Sequence, residues 1–360
     1  MEKEKIIRIR KFLQENNYSG MILARQDNFN WITSGGNNRV IVPKDTGHAA
    51  VVITNDNVYL VAQVMDGQRI MDEEMQFLDA EPVFLYWYEE SVIEKSVLLA
   101  GESPVSDTPV ANARVSLNEI YDLHYPLLDE EYIRMKRLGA ISDSIFYKVA
   151  KEIHPGMLDY EAEALLLYEF AKENIQCDVT LIGTDDRIFK YRHPNPSGRK
   201  LGNYVMLHAA VRQGGLHCNV SRSIYFGEKI PEKIANAYGL CCQIEAYCMS
   251  QCKTGTRWKD IQEGQKRMYI EAGSPEEWKY HYPGGRTGYF VSQSDLSLNP
   301  LKEIQNREAY DWYITVTGAK VEELSVNWDG RLEILSHTGL WPSKKYGKEE
   351  VFDLPQIMRR

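Results

Sequence analysis

His193 lies in the run RHPNPSGRK. An imidazole has a pKa near neutrality, so this side chain could take up and release a proton. Arg192 and Arg199, on either side of it, could hold an anion. Further along, His217 and Asn219 alternate within HCNVSRSIYF, which places them on the same face of an extended strand. If His208 faced the same cavity, then His208, His217 and Glu322 would form a two-histidine, one-carboxylate set able to hold one zinc or iron. The competing reading is polar lining of a metal-free pocket. The spacing matches no standard metal pattern, so the expectation is a site without metal or other cofactor. Six cysteines (Cys177, Cys218, Cys241, Cys242, Cys248 and Cys252) lack the paired spacing of a zinc ribbon and read as small, buried, reduced thiols.

These residues need elements to position them. The first part of the chain alternates helix and strand signals. Residues 4–16 and 64–75 read as helices and 18–25 as a short strand, while 48–54 and 57–62 form a hairpin around Asn55 and Asp56. The pattern then changes. Residues 130–153 form a long helix with apolar residues at helical spacing, which Pro155 and Gly156 stop, and 158–175 form a second helix. Strands at 205–211 and 217–226 flank Gly214 and Gly215. Helices follow at 231–252 and 257–273, two strands lie around Gly318 within 309–330, and a last short strand covers 331–335. This gives an α/β chain of two domains, 1–127 and 128–360.

Composition narrows the function. The 43% of hydrophobic residues can bury a sizeable core, and the net charge of −9 argues against nucleic acid or an anionic membrane as partner. The N-terminal run MEKEKIIRIRKFLQENN alternates charge with Ile and Leu, unlike a signal peptide. No stretch reaches the roughly 18 apolar residues of a membrane span. The expected compartment is the cytoplasm.

Several segments, in order, resemble the catalytic domain of the aminopeptidase P, prolidase and creatinase family. They are MKRLGAISDSIFYKVAKEIHPGMLDYEAE (135–163), HPNPSGRKLGNYVML (193–207), GGLHCNVSRSIYFG (214–227), GGRTGY (284–289) and GAKVEELSV (318–326). NFNWITSGG (28–36) is similar to part of the family's smaller N-terminal domain. The resemblance implies a creatinase-like α/β domain followed by a pita-bread domain, a duplicated αββ unit.

It also implies a test. Metal-dependent members hold two divalent ions between two Asp, one His and two Glu. Here His208 stands for the first Asp and Asn219 for the second, Gly285 or Arg286 for the His, and Tyr313 for the first Glu. Only Glu322 is retained. One carboxylate cannot balance two dehydrated dications, so the resemblance predicts the fold without the dinuclear site. It assigns His193 to the family histidine near the substrate, which in metal-free creatinase moves the proton. Creatinase grips its guanidinium substrate with glutamates, near whose places this chain has Ser221 and Tyr313. The implied pocket offers His208, His217, Asn219, Arg222, Arg286, Tyr289, Tyr313 and Glu322, a set rich in donors and cations that suits an anionic small molecule or short peptide.

The expected function is a metal-independent hydrolase or lyase acting on a small C–N bonded or peptide-like substrate; the alternative is a binding module without chemistry. The resemblance further implies a homodimer, with Phe29, Trp31 and Arg39 in the segment that in creatinase reaches a neighbouring active site.

Overall fold

The computed structural model describes residues 2–291, 302–348 and 350–360 and divides into two compact units. The first comprises Met1–Glu131 with Gly214–Leu216, the second Tyr132–Gln213 with His217–Arg360.

In the first unit, helices α1 (Glu2–Asn16), α2 (Gln26–Ile32), α3 (Val64–Glu74), α4 (Val92–Ala100) and α5 (Leu117–Asp122) accompany one six-stranded sheet. Its strands are β1 (Gly20–Arg25), β2 (Thr46–Thr54), β3 (Val58–Gln63), β4 (Glu81–Leu85), β5 (Pro104–Ser106) and β6 (Arg114–Val115), in the order β4-β3-β2-β1-β5-β6. The β2–β3 and β1–β2 pairs are antiparallel and the outer pairs parallel. Ile22, Ala24, Ala50, Val52 and Val61 form the core beneath α4, which a Ser91–Glu94 capping box starts. Phe29 and Trp31 are fully buried in this unit, and the Trp31 ring lies 4.5 Å from that of His124. Both side chains serve the packing of this unit.

Two helices come next, α6 (Asp129–Glu152), which belongs to the second unit from Tyr132 on, and α7 (Asp159–Lys172). Strand β7 (Gln176–Thr184) and the short helix α8 (Asp186–Lys190) lead to β8 (Tyr204–Gln213) and β9 (Leu216–Tyr225), followed by α9 (Glu232–Ser250) and α10 (Trp258–Glu271). A single 3₁₀ turn, Glu277–Lys279, precedes β10 (Gly284–Thr287). The remaining strands are β11 (Glu308–Trp312), β12 (Ile314–Val316), β13 (Ala319–Val321), β14 (Leu324–Trp328), β15 (Arg331–Ile334), β16 (Ser343–Tyr346), β17 (Phe352–Pro355) and β18 (Met358–Arg359). They build two four-stranded sheets, β18-β9-β8-β7 and β10-β11-β14-β15, and two small hairpins. The stretch read as two strands around Gly318 is four, broken after Trp312 and after Val321.

The core of this unit packs α9 and α10 against the strands through Cys241, Cys242, Ile244, Trp258, Tyr310, Trp312 and Ile314. All six thiols are free, and five are buried with Cys177 partly so, as expected. No helix among the described residues is long and apolar enough to cross a membrane.

Two glycines set the geometry of the site. Gly318 turns the β12–β13 hairpin at φ +96°, and a Cβ there would come within 2.4 Å of the Phe189 ring. Gly284, at φ +95°, lets β10 lie so close to β11 that a Cβ would sit 2.0 Å from the Asp311 carbonyl oxygen. No side chain is tolerated at either place without backbone movement.

Candidate functional site

Strand alternation sorts the candidate residues before any distance is measured. On β9, Asn219 and Ser221 share one face and Arg222 takes the other; around β13, Lys320 and Glu322 share one face and Glu323 takes the other. An isolated antiparallel bridge between Ser221 and Glu322, with Ser221 N–H donating to the Glu322 carbonyl at 3.2 Å, holds the two strands together at this point.

The Glu322 carboxylate is 1% exposed and is gripped on one oxygen by three groups. Lys320 Nζ lies 3.1 Å away, His208 Nδ1 3.0 Å away, and Ser221 Oγ donates to it at 3.1 Å. Burial works against ionisation, but Lys320 first and His208 next override it, and the carboxyl is held at about 2. His208 Nδ1 is also 3.1 Å from Ser221 Oγ. Burial, then Lys320, pushes the His208 imidazole below its ordinary range against the pull of Glu322.

Beside this group lies a pair of imidazoles. His193 and His281 share a hydrogen bond between their Nε2 atoms at 3.1 Å, with ring planes 74° apart. One Nε2 must carry the proton and the other accept it. His193 keeps an exposed side, and partial desolvation, then Lys320, lowers it; burial, then Lys320, lowers His281 to about 4. His281 stacks on Tyr282 at 5.1 Å and meets Tyr313 edge-on at 6.3 Å. Asn219 Nδ2 donates to the Tyr313 hydroxyl at 2.7 Å, and that hydroxyl donates to the Val291 carbonyl at 3.1 Å. Lys320 Nζ stands 5.7 Å from the centre of the Tyr313 ring. His193, His208, Asn219, Tyr313 and Glu322 therefore lie near one another.

Three others go elsewhere. The Arg222 guanidinium faces away from the site, bonded to Glu323, to Asp143 at 2.9 Å and to the Ser336 carbonyl at 2.6 Å, with 1% exposure. It is a structural ion-pair hub, not a ligand for substrate. Arg286 is buried 3.5 Å from Glu308 and does not reach Glu322. His217 bonds Asp178 at 3.2 Å and the Gly288 carbonyl at 3.2 Å, so the His208–His217–Glu322 set is not assembled. The cation beside Glu322 is Lys320.

Two residues escaped the sequence reading. Lys320 could have been found, because it lies two positions before Glu322 on one strand and must share its face. His281 has no such signal; it precedes β10 in an irregular segment and meets His193 only through the fold.

A dinuclear metal centre needs several anionic oxygens. Asp311, a carboxyl that Glu322 acts on, is fully buried and pushed well above the usual range, by burial first and Glu322 second, which favours its neutral form. Among the described residues no group of three or more His, Cys, Asp or Glu could hold a metal ion.

Residues 133–303 match the sequence model of metallopeptidase family M24. No curated protein matches the chain. Among solved structures, the Xaa-Pro dipeptidase from Bacillus anthracis superposes with a TM-score of 0.77 at 15% identity, over 100% of this chain and 100% of that one. The prolidase from Pyrococcus horikoshii OT3 also gives 0.77 at 15% identity, over 93% of this chain and 98% of its own. The X-Pro aminopeptidase from Thermotoga maritima MSB8 gives 0.72 at 16% identity, over 92% and 97%. At such identities the superpositions establish the fold. In fold, and in the sequence of its second domain, the chain resembles the aminopeptidase P, prolidase and creatinase family of pita-bread proteins.

Proposed function

We propose that this protein is a divergent relative of the Xaa-Pro peptidases that acts, without a pair of metal ions, on a small C–N bonded or peptide-like substrate. The observation that carries this reading is the Lys320–Glu322–His208 group. The one retained carboxylate is already neutralised by an ammonium 3.1 Å away, and that ammonium would repel a divalent ion seated at Glu322. With His208, Asn219 and Tyr313 in place of anionic ligands, the residues present do not fit two dications.

In this reading His193 moves the proton. Held below its ordinary pKa by partial desolvation and Lys320, its imidazole favours the free base at pH 7, able to accept a proton and return it to the departing nitrogen. His281, bonded to it through Nε2, orients the ring. His208, Asn219 and Tyr313 line the place where the substrate would lie, and Lys320 supplies positive charge for an anionic group.

One observation favours a second reading, a binding module without chemistry. The hydroxyl at the centre of the site, Ser221 Oγ, is buried and already bonded to Glu322 and His208, so it is poorly placed to attack a substrate.

Assays on Xaa-Pro dipeptides and N-acyl amino acids, with His193→Gln as the comparison, separate the two. A rate that falls about 10²–10⁴-fold in the variant supports proton transfer by His193. An unchanged rate removes that role, and substrate binding without turnover supports the binding module. The reading includes a cytoplasmic homodimer; light scattering at the mass of one chain would remove the dimer.

A further inference from the structure

A cavity of about 220 Å³ lies beside the imidazole pair, lined by one face of α10, the 3₁₀ turn and the segment that carries His281. Ligand pockets for drug-sized molecules run from roughly 300 Å³ upward, so this one suits a single residue-sized group. Gln262, Gln265 and Lys266 stand on α10 at spacings of three and four, which turns all three toward the cavity. Trp278 and Lys279 face them, and His281 closes the end nearest His193.

Two features of this lining point to a ligand. Gln265 is only 5% exposed, yet among the described residues its carboxamide has no hydrogen-bond partner. Its amide atoms are not sealed off from the cavity, so they are open to a polar group that enters it. Lys266 has no carboxylate partner among the described residues; its ammonium is parked over the indole face of Trp278, 4.5 Å from the ring centre. Lys279, by contrast, is paired with Glu276 at 2.6 Å. The cavity thus combines a cation without a counter-ion, a buried amide without a partner and an aromatic wall, next to an imidazole of the candidate reacting centre.

We propose that this cavity is a subsite for a carboxylate-bearing residue of the substrate. Lys266 neutralises the carboxylate, Gln265 hydrogen-bonds the ligand's polar backbone, and Trp278 covers its apolar part. A short peptide seated this way passes His281 and brings its adjoining C–N bond toward His193. The assignment deepens the functional reading above and rests on His193 and His281 being the reacting centre.

The test is calorimetric titration of the full chain with three probes: the dipeptide Ala-Phe, its C-terminal amide Ala-Phe-NH₂, and Ala-Glu-NH₂, which carries its carboxylate on the side chain. The expected result is that Ala-Phe binds at least about tenfold more tightly than Ala-Phe-NH₂, since a charge-assisted contact is at stake. Lys266→Met keeps the stem over Trp278 and should remove that preference while leaving Ala-Phe-NH₂ unaffected. Gln265→Leu, which replaces an unpartnered buried amide with an apolar group of similar size, should fold normally and weaken all three probes. Lys259→Met, a change on α10 outside the cavity lining, should change nothing. Tight binding of Ala-Glu-NH₂ would identify a side-chain carboxylate as the group received, and weak binding the chain terminus; both fit the subsite. Equal binding of Ala-Phe and its amide, or a carboxylate preference that survives Lys266→Met, would overturn it. If the Lys266-dependent preference holds but His193→Gln leaves every turnover rate unchanged, the subsite stands and the proton-transfer role falls.

Discussion

Glu322 and Glu323 are neighbours in sequence, and both are buried carboxyls beside a cation, yet they belong to different machinery. Glu323 points into a closed cluster in which the Arg222 guanidinium, Asp143 and Ser336 are joined to it or to one another by hydrogen bonds. Burial pushes its carboxyl up and Arg222 works against that. Glu322 points the opposite way, where Lys320 and His208 hold it ionised beside a pair of imidazoles. The difference teaches that a buried ion pair alone is no sign of function. What distinguishes the Glu322 side is a hydrogen-bonded pair of imidazoles with an adjoining cavity.

The comparison breaks most visibly at Arg222. Replacing it by Met leaves Glu323 and Asp143 buried without their cation and should cost about 3–5 kcal/mol of stability, measured by urea unfolding. A loss below about 1 kcal/mol would mean that the cluster does not carry structure as described.

The Glu322 side should announce itself in acid. Its carboxyl lies near 2 in the folded chain against an ordinary 4.5, so the native state binds fewer protons across that interval. Stability from this group is complete above pH 4.5 and is lost as pH falls toward 2, by roughly 3 kcal/mol for the whole shift. His281, lowered from 6.5 to about 4, acts in the same direction between those values. Unfolding midpoints followed from pH 7 to 2 should therefore fall less steeply below pH 4.5 in Glu322→Gln than in the parent. Identical slopes would contradict the pairing.

Lys320→Met gives the smallest change in stability, about 1–3 kcal/mol, because Glu322 keeps His208 and Ser221. Its signature is in titration. Lys320 helps hold His193, His208 and His281 down, so all three should move up, His281 away from about 4 toward its ordinary value. NMR titration of the histidine ring protons reads this directly, and unmoved histidines would place Lys320 outside the site.

Much of this was legible in the residues themselves. The long helix expected at 130–153 is α6, Asp129–Glu152, because a 3.6-residue apolar period over that length has few other solutions. The strands carrying His208 and Asn219 were legible from their apolar runs and the glycine pair between them. Strand parity was legible as well: Ser221 and Arg222 are adjacent, so both cannot face the pocket that contains Asn219. Arg222 therefore belongs to the opposite face, while Lys320 and Glu322, two apart, share one. The contact of His193 with His281, 88 residues along, was not legible, because it depends on how the segment before Gly284 leaves the 3₁₀ turn. The partners of His217 and Arg286, Asp178 and Glu308, were likewise fixed by sheet register that no local pattern specifies.

The central claim is that Lys320 and its neighbours leave no seat for paired dications at Glu322. Elemental analysis of the protein, purified and then equilibrated with manganese, cobalt or zinc and freed of excess ion, tests it most directly. The account predicts well under one equivalent per chain, with thermal stability unchanged by chelator; two equivalents per chain, lost together with stability on chelation, would contradict it.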